Sequence, residues 1–318
     1  MKSFAIDPAL PSGLPADGMG TVVTIGTFDG VHRGHWEVLS QIRRRARETR
    51  RRSVLATFYP HPLTIVRPEL APPMLTTPVE KKEILAESGL DYVVFLPFTP
   101  LLAEYTPRRF VEEILVGRLG VKELVVGYDH HFGKGRAGDA DTLRELGAEM
   151  GFDVDVVGPV GARERPISST NIRRALLEGD VVSAREGLGR PYSIRGLVVR
   201  GEQRGRTLGF PTANLEVRGG GIVGQKLIPP PGIYAVRGIL KSGTYDGALH
   251  LGPRPTFEGS PPSIELHLMD FEKDVYGEEV RVDFVRYLRE IRPFNSQRTL
   301  IDQMREDVRE ARAILSEA

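Results

Sequence analysis

Thr24-Ile25-Gly26-Thr27-Phe28-Asp29-Gly30-Val31-His32-Arg33-Gly34-His35 joins an apolar, strand-like run to a long helical run and sets two histidines at the junction. The first N–H groups of a helix have no intrahelical acceptor, and the helix dipole favours negative charge in front of them. His32 and His35 add directed donors to the same spot, and Gly26, Gly30 and Gly34 let the backbone approach a ligand closely. The segment reads as a seat for phosphates. Zinc is the other common use of paired histidines, but a zincin helix spaces them at i and i+4 around a glutamate, whereas these stand at i and i+3 across a glycine. With no cysteine in the chain, metal is not expected on this pair.

Working outward from the turn, short apolar runs alternate with helical ones. Strands are expected at Thr21 to Thr27, Ser53 to Phe58, Tyr92 to Leu96, Glu123 to Gly127 and Val154 to Val157. Helices are expected at Gly34 to Arg51, Pro78 to Ser88, Pro107 to Arg118 and Asp141 to Met150. Continuous apolar strands alternating with helices imply right-handed crossovers and a parallel sheet covered on both faces. In such sheets ligands bind beyond the carboxyl ends of the strands, which is where the His32/His35 turn lies.

After Gly189-Arg190-Pro191 the period changes. Tyr192 to Arg200, Gly232 to Leu240, Thr244 to Leu251, Ser263 to Asp270 and Val280 to Leu288 are strand-like and are separated by Gly/Pro-rich connections. They imply a small closed barrel or a sandwich. Gln297 to Leu315 carries an apolar stripe at helical spacing that should pack on this second domain. The expected division is therefore an α/β domain over residues 1–188 and a β domain with a C-terminal helix over 189–318.

At 318 residues the chain is long for a single core. Its formal net charge of +1 supplies no global field for nucleic acid. The basic run Arg43 to Arg52 falls late in a helix, where cations suit the dipole, and reads as a solvated face rather than a polyanion patch. Zero cysteines exclude a disulfide framework and a thiol nucleophile. The N-terminal stretch is broken by Asp7, Pro8, Pro11, Gly13 and Pro15 and does not read as a signal peptide. No run approaches the roughly 20 apolar residues of a membrane span. A cytoplasmic protein with no membrane or nucleic-acid partner is expected, and association into a homo-oligomer is compatible with the sequence.

Three further stretches carry chemistry. Ile167-Ser168-Ser169-Thr170-Asn171-Ile172-Arg173 opens a helical run; Ser and Thr are ordinary N-caps, but a cation in the first turn is disfavoured unless an anion faces it. Thr57-Phe58-Tyr59-Pro60-His61-Pro62 and Gly127-Tyr128-Asp129-His130-His131-Phe132-Gly133 follow strands and open toward the same sheet edge. Gly201-Glu202-Gln203-Arg204-Gly205-Arg206-Thr207-Leu208-Gly209-Phe210-Pro211-Thr212-Ala213-Asn214 lacks the Gly-Lys-Ser/Thr of a Walker loop and reads by itself as a hairpin connection ending in a stiff turn. In Ile264-Glu265-Leu266-His267-Leu268, alternation puts the aliphatic residues on one face and Glu265 with His267 on the other.

His32-x-Gly34-His35 resembles the H-x-G-H signature of nucleotidylyltransferases. The whole set, in order from about Val22 to Ala311, resembles the bacterial bifunctional riboflavin kinase/FAD synthetases. The resemblance implies an α/β nucleotidylyltransferase domain with a Rossmann-like parallel sheet, followed by a kinase β-barrel. It implies phosphorylation of riboflavin to FMN and adenylylation of FMN to FAD, with ATP as co-substrate of both and Mg²⁺ as cofactor. It assigns ATP phosphates to Gly26, His32, His35, Ser169, Thr170 and Arg173, and makes Phe58, Pro60, His61, Asp129 and Phe132 walls for flavin and nucleotide. His130 stands where the family more often has an aromatic residue and receives no catalytic role. In the barrel it assigns ATP to Gly205, Arg206, Thr212 and Asn214, Mg²⁺ to Thr212 and Asn214, and the role of base to Glu265. His250 and Pro253 depart from the family's more usual asparagine and threonine. Chemistry agrees with this division: an FMN phosphate is already an anionic nucleophile, while a ribityl hydroxyl needs a proton acceptor. Two alternatives remain open: an adenylyltransferase whose barrel only binds flavin, and a nonenzymatic flavin or nucleotide sensor.

Overall fold

The strand-like runs of the first half form because each is covered on both faces. A computed structural model describes residues 2–5, 14, 18–158, 161–162, 165–201, 205, 208–217, 226–253 and 263–317. Packing separates two units, the first ending at Ser169 and the second beginning at Thr170, ahead of the change of period at 188/189. The first unit runs β1 (Lys2–Ala5), β2 (Thr21–Gly26), α1 (Arg33–Glu48), β3 (Arg52–Tyr59), α2 (Pro62–Val66), α3 (Pro78–Ala86), β4 (Tyr92–Pro97), α4 (Pro100–Ala103), α5 (Pro107–Phe110), β5 (Val121–Gly127), α6 (Ala140–Met150) and β6 (Asp153–Val157), with a short pair β7 (Gly161–Ala162) and β8 (Arg165–Pro166). Strands β1 to β6 form one sheet in the order β1-β4-β3-β2-β5-β6, every pairing parallel.

Alternate residues of the central strands serve opposite faces. Val22, Leu55, Val93 and Val125 pack with Val38, Leu39 and Ile42 of α1, while Val23, Val54, Val94 and Leu124 pack with Phe110, Val111 and Ile114 on the other side. The chain leaves β2 toward β3 and β4, then returns to the other side of β2 for β5 and β6. The loops after β2 and β5 thus diverge at the topological switch point, where open α/β sheets bind ligands.

Strand β1 was not expected; four residues beside a Pro/Gly-broken stretch give no periodic signal, and it forms as an edge paired with β4. The helix expected over Pro107–Arg118 is divided into α5 and a π-helical segment Val111–Val116, in which the Gly117 amide reaches back to Glu112. The basic run is not simply a solvated face. Arg45 hydrogen-bonds Glu123 of β5 and Asp155 of β6, and Arg43 donates to the Ser88 carbonyl at 3.3 Å, so these side chains fasten α1 to the sheet and to the end of α3.

The second unit holds most of α7 (Ser169–Leu177), α8 (Val181–Leu188), six strands and α9 (Gln297–Glu317). Strands β9 (Tyr192–Val199), β10 (Ala213–Glu216), β11 (Gly232–Leu240), β12 (Gly243–Gly252), β13 (Ser263–Leu268) and β14 (Glu279–Arg289) close an antiparallel barrel in the order β10-β13-β12-β11-β14-β9. The barrel, rather than a sandwich, is the outcome of the two folds that the sequence allowed. Tyr192, Tyr234 and Phe284 fill its interior as large, fully buried side chains, the Phe284 ring centroid lying 6.2 and 5.1 Å from those of the two tyrosines.

Helix α9 packs Ala311 and Leu315 against Ala235, Met269 and Val285 of the barrel. Its polar anchor is Asp307, 5% exposed, which takes a two-pronged pair from Arg289 at 2.7 and 2.6 Å and a further hydrogen bond from Gln303 at 2.9 Å. Removing one partner of a buried pair strands the other charge, which costs about 3 to 5 kcal/mol. Asp307→Ala should therefore lower the stability of the second unit by that amount in urea denaturation followed through a barrel-specific probe; a change below about 1 kcal/mol would show the pair to be dispensable.

Candidate functional sites

The turn after β2 is built around strained backbone. Phe28 and Val31 have φ of 46° and 40° and are buried, a conformation costing on the order of 1 to 3 kcal/mol per residue unless the surroundings enforce it. Four groups do so. The Asp29 carboxylate accepts from the Leu75 amide at 2.9 Å and from the Thr76 amide and hydroxyl, both at 3.1 Å. The Thr76 hydroxyl oxygen also accepts from the Gly30 amide at 3.1 Å. The Ser169 hydroxyl donates to the Asp29 carbonyl at 2.9 Å. The Thr27 carbonyl accepts from Lys81 Nζ at 2.7 Å and from the Thr57 hydroxyl at 3.0 Å.

Beyond the turn, the two histidines cap α1 reciprocally. His35 N–H donates to His32 Nδ1 and His32 N–H donates to His35 Nδ1, each at 3.2 Å. A ring nitrogen that accepts cannot carry a proton, so each neutral imidazole is protonated on Nε2. The rings stack with centroids 3.6 Å apart and 14° between planes, and Phe28 continues the stack on His35 at 4.4 Å. Gly34 lies close under the His32 ring: a Cβ there would stand 3.2 Å from two of its atoms, so the ring would have to give by a few tenths of an ångström. Gly26 ends β2 with the Phe28 ring against it, 3.2 Å from where a Cβ would be.

Of the other residues expected at the phosphates, Ser169 is joined to this turn through Asp29, while Thr170 and Arg173 lie in α7 and are grouped with the second unit. The expected flavin walls fall into two sets. Phe58 and Phe132 are half-buried and meet through Phe110, at centroid distances of 6.5 and 6.0 Å. Pro60 follows a cis peptide bond, and His61 caps α2 by accepting from the Leu63 amide at 3.2 Å. Asp129 is exposed, and its carbonyl receives His131 Nδ1 at 2.9 Å.

In the barrel, β13 lies beside β10, with Glu265 opposite Asn214 and Leu266 opposite Ala213. Leu266 and Leu268 point into the core and Glu265 is half-buried on the other face, as alternation requires. Thr212 Oγ1 donates to Glu265 Oε2 at 3.3 Å, and Ser263 Oγ donates to Oε1 at 3.2 Å. His267 Nδ1 donates to the Pro211 carbonyl at 2.9 Å, which ties the Phe210-Pro211-Thr212 turn to the same strand face. Gly205 accepts at its carbonyl from the Leu208 and Phe210 amides, and a Cβ on it would stand 2.3 Å from the Phe210 carbonyl oxygen. His250 pairs with Glu265 across β12 and β13. Arg206 lies outside the described residues, as do residues 254–262 beyond Pro253. Among the described residues no cluster of three or more His, Cys, Asp or Glu could hold a metal alone. Thr212 and Asn214 nonetheless offer the hydroxyl and amide oxygens that a hard cation with water and phosphate ligands accepts.

Sequence reasoning missed Asp29, Thr76, Lys81 and Ser263. Thr77 with Glu80 forms a capping box at the start of α3, a readable signal that places Thr76 and Lys81 at a helix entrance. Ser263 stands two residues before Glu265 and so shares its strand face.

Residues 14–171 match the family model for FAD synthetase and residues 188–315 that for riboflavin kinase. The bifunctional riboflavin kinase/FMN adenylyltransferase of Escherichia coli (strain K12) is 38% identical over 294 residues, covering 92% of this chain and 92% of that one. Its counterpart from Bacillus subtilis (strain 168) is 35% identical over 296 residues, covering 92% and 91%. The chain belongs to the bifunctional riboflavin kinase/FMN adenylyltransferase family. A crystal structure described as a macrolide-efflux protein from Streptococcus pneumoniae has the same fold, with a TM-score of 0.84 at 30% identity over 97% of this chain and 98% of that one. Among the described residues no helix is long and apolar enough to cross a membrane.

His130, where the family more often carries an aromatic ring, is held neutral: burial pushes its pKa down to about 4, the Asp129 charge offsetting only part of the shift. Its ring stacks on Phe132 at 5.9 Å, and its Nε2 finds no hydrogen-bond partner among the described residues. An unfolded chain protonates this histidine as pH falls below about 6.5, whereas the folded chain resists until about 4. Stability contributed by the neutral ring is therefore complete above that window and declines through it, by about 2 kcal/mol at pH 5. His130→Phe should narrow the difference in urea midpoint between pH 7.5 and pH 5 for the first unit; an unchanged difference would rule out His130 as a source of acid sensitivity.

Proposed function

We propose that residues 1–188 adenylylate FMN and residues 189–318 phosphorylate riboflavin, so that one chain makes FMN and then FAD from riboflavin and two ATP. The observation that carries this reading is the Thr212 to Glu265 hydrogen bond, which puts a carboxylate beside the proposed metal and phosphate residues. A barrel that only bound flavin, or a sensor that turned nothing over, would have no use for a proton acceptor there.

In the first site the FMN phosphate attacks the α-phosphorus of ATP and pyrophosphate leaves. The nucleophile is already charged, so the protein's tasks are alignment and neutralisation of growing negative charge. His32 and His35 supply Nε2–H donors, and the start of α1 supplies its dipole. Ser169, Thr170 and Arg173 serve the remaining phosphate oxygens, with Phe58, Pro60, His61, Asp129 and Phe132 as the surrounding walls. In the second site Glu265 accepts the proton of the ribityl hydroxyl as that oxygen attacks the γ-phosphorus, the bond to the bridging oxygen breaks and ADP leaves. Thr212 and Asn214 would hold Mg²⁺, and the ion would supply positive charge to offset that of the ATP phosphates. Gly205 and Arg206 line the phosphates. Ser263 and Thr212, by hydrogen-bonding both oxygens of Glu265, fix the direction in which the base presents its lone pairs. The enzyme works in the cytoplasm on small molecules, with neither nucleic acid nor membrane as partner.

Purified chain given riboflavin, ATP and Mg²⁺ should produce FMN and then FAD on chromatography. FAD from supplied FMN with no FMN from riboflavin would leave an adenylyltransferase with a flavin-binding barrel. Glu265→Gln should cut FMN formation by about 10²- to 10⁴-fold while FAD formation from FMN persists. His32→Ala should give the reverse pattern, and equal loss of both activities in either variant would overturn the assignment of sites.

A further inference from the structure

Lys81 is in an expensive place for an amine. It is the fourth residue of α3, near the positive end of the helix dipole, and is 5% exposed. Burying an ammonium is unfavourable unless its hydrogen bonds and charge are used. A residue needed only to pack α3 on the sheet would be aliphatic. The Lys81 side chain instead reaches the Thr27 carbonyl, the last before the strained turn, at 2.7 Å.

The Thr57 hydroxyl donates to the same carbonyl, at 3.0 Å from β3. Two donors from separate elements fix the plane of the Thr27–Phe28 peptide. In a trans peptide the C=O and the following N–H point in opposite directions, so the Phe28 amide is oriented away from Lys81 and Thr57. That peptide is where the chain leaves β2 and enters the left-handed backbone of Phe28, and everything from there to the stacked histidines inherits its direction. Asp29, two residues on, attracts the Lys81 charge. On α3 itself, the neighbouring Glu80 is engaged with the Thr77 amide at 2.8 Å.

We propose that Lys81 is a positioning residue for adenylyl transfer, acting through the Thr27 carbonyl to hold the turn that sets His32 and His35. The proposal rests on the assignment of adenylyl transfer to the first unit. Burial pushes the Lys81 pKa down to about 8, with Asp29 opposing the shift, so its charge is lost within a range where the enzyme can be assayed. A polyanionic nucleotide in front of the turn favours the protonated amine, and loss of that proton therefore weakens the site for its substrate.

The test compares wild type, Lys81→Met and Thr57→Val, measuring kcat/KM for FAD formation from FMN between pH 7 and 9.5, with FMN formation from riboflavin by the same preparations as the internal control. Lys81→Met should reduce adenylyl transfer about 100-fold, the effect of a misplacement near 1 Å, while the kinase rate is kept. Wild type should lose FAD formation above about pH 8, Lys81→Met should lack that alkaline limb, and Thr57→Val should be about tenfold slower with the limb retained. Lys81→Met within twofold of wild type, or a wild-type profile level to pH 9.5, would overturn the proposal. If Lys81→Met loses both activities through misfolding, the wild-type limb and Thr57→Val decide. No FAD from wild type at any pH would instead overturn the functional reading beneath it.

Discussion

An imidazole has two ring nitrogens, and in the neutral form one accepts while the other donates. His32 and His35 each commit the accepting nitrogen to the other's backbone amide. That single exchange caps α1, brings the rings face to face and leaves both Nε2 atoms as donors. A serine or aspartate cap would satisfy the helix equally well but would bring only oxygen to the spot, and an aspartate would repel phosphate. The tight fit at Gly34 follows from the exchange, since a Cβ there would stand 3.2 Å from the His32 ring. So does the tolerance of positive φ at Phe28 and Val31, because the turn has to deliver both rings to one helix end.

The two sites solve opposite problems. On the proposed assignment, one faces phosphates and needs hydrogen-bond donors, and the other faces an alcohol and needs a proton acceptor. The first is made from backbone strain and imidazoles. The second is made from strand register, which sets Asn214 opposite Glu265 and Ser263 on the same face. The hydroxyls of Thr212 and Ser263 hold the Glu265 carboxylate by both oxygens.

Much of this was legible in the sequence because it is local. The ten expected strands, the β2 to α1 turn and the C-terminal helix announce themselves by period and punctuation. Glu265 and Thr212 were legible only through the family's motif, since 53 residues separate them and only barrel closure brings them together. Strand β10 was hidden because its first residues belong to that motif and it spans four positions. Helix α8 was missed although Asp180 caps it and Gly189 closes it in left-handed backbone. Lys81 was the least readable: its partner is a main-chain carbonyl, which leaves no mark in any side-chain pattern. Arg45 looked like one of many surface cations because its partners, Glu123 and Asp155, lie on strands whose order in the sheet is not written in their own residues.

Barrel closure also distributes risk unevenly along the chain. Every strand from β9 to β14 has a neighbour on each side, so among the described residues the barrel presents no bare ladder to a foreign strand. The sheet of the first unit ends in β1 and β6, and β6 reads Asp-Val-Asp-Val-Val with Asp155 drawn onto Arg45. Charge at an open margin discourages pairing with a foreign strand, a safeguard that the closed barrel's strands obtain from their neighbours instead.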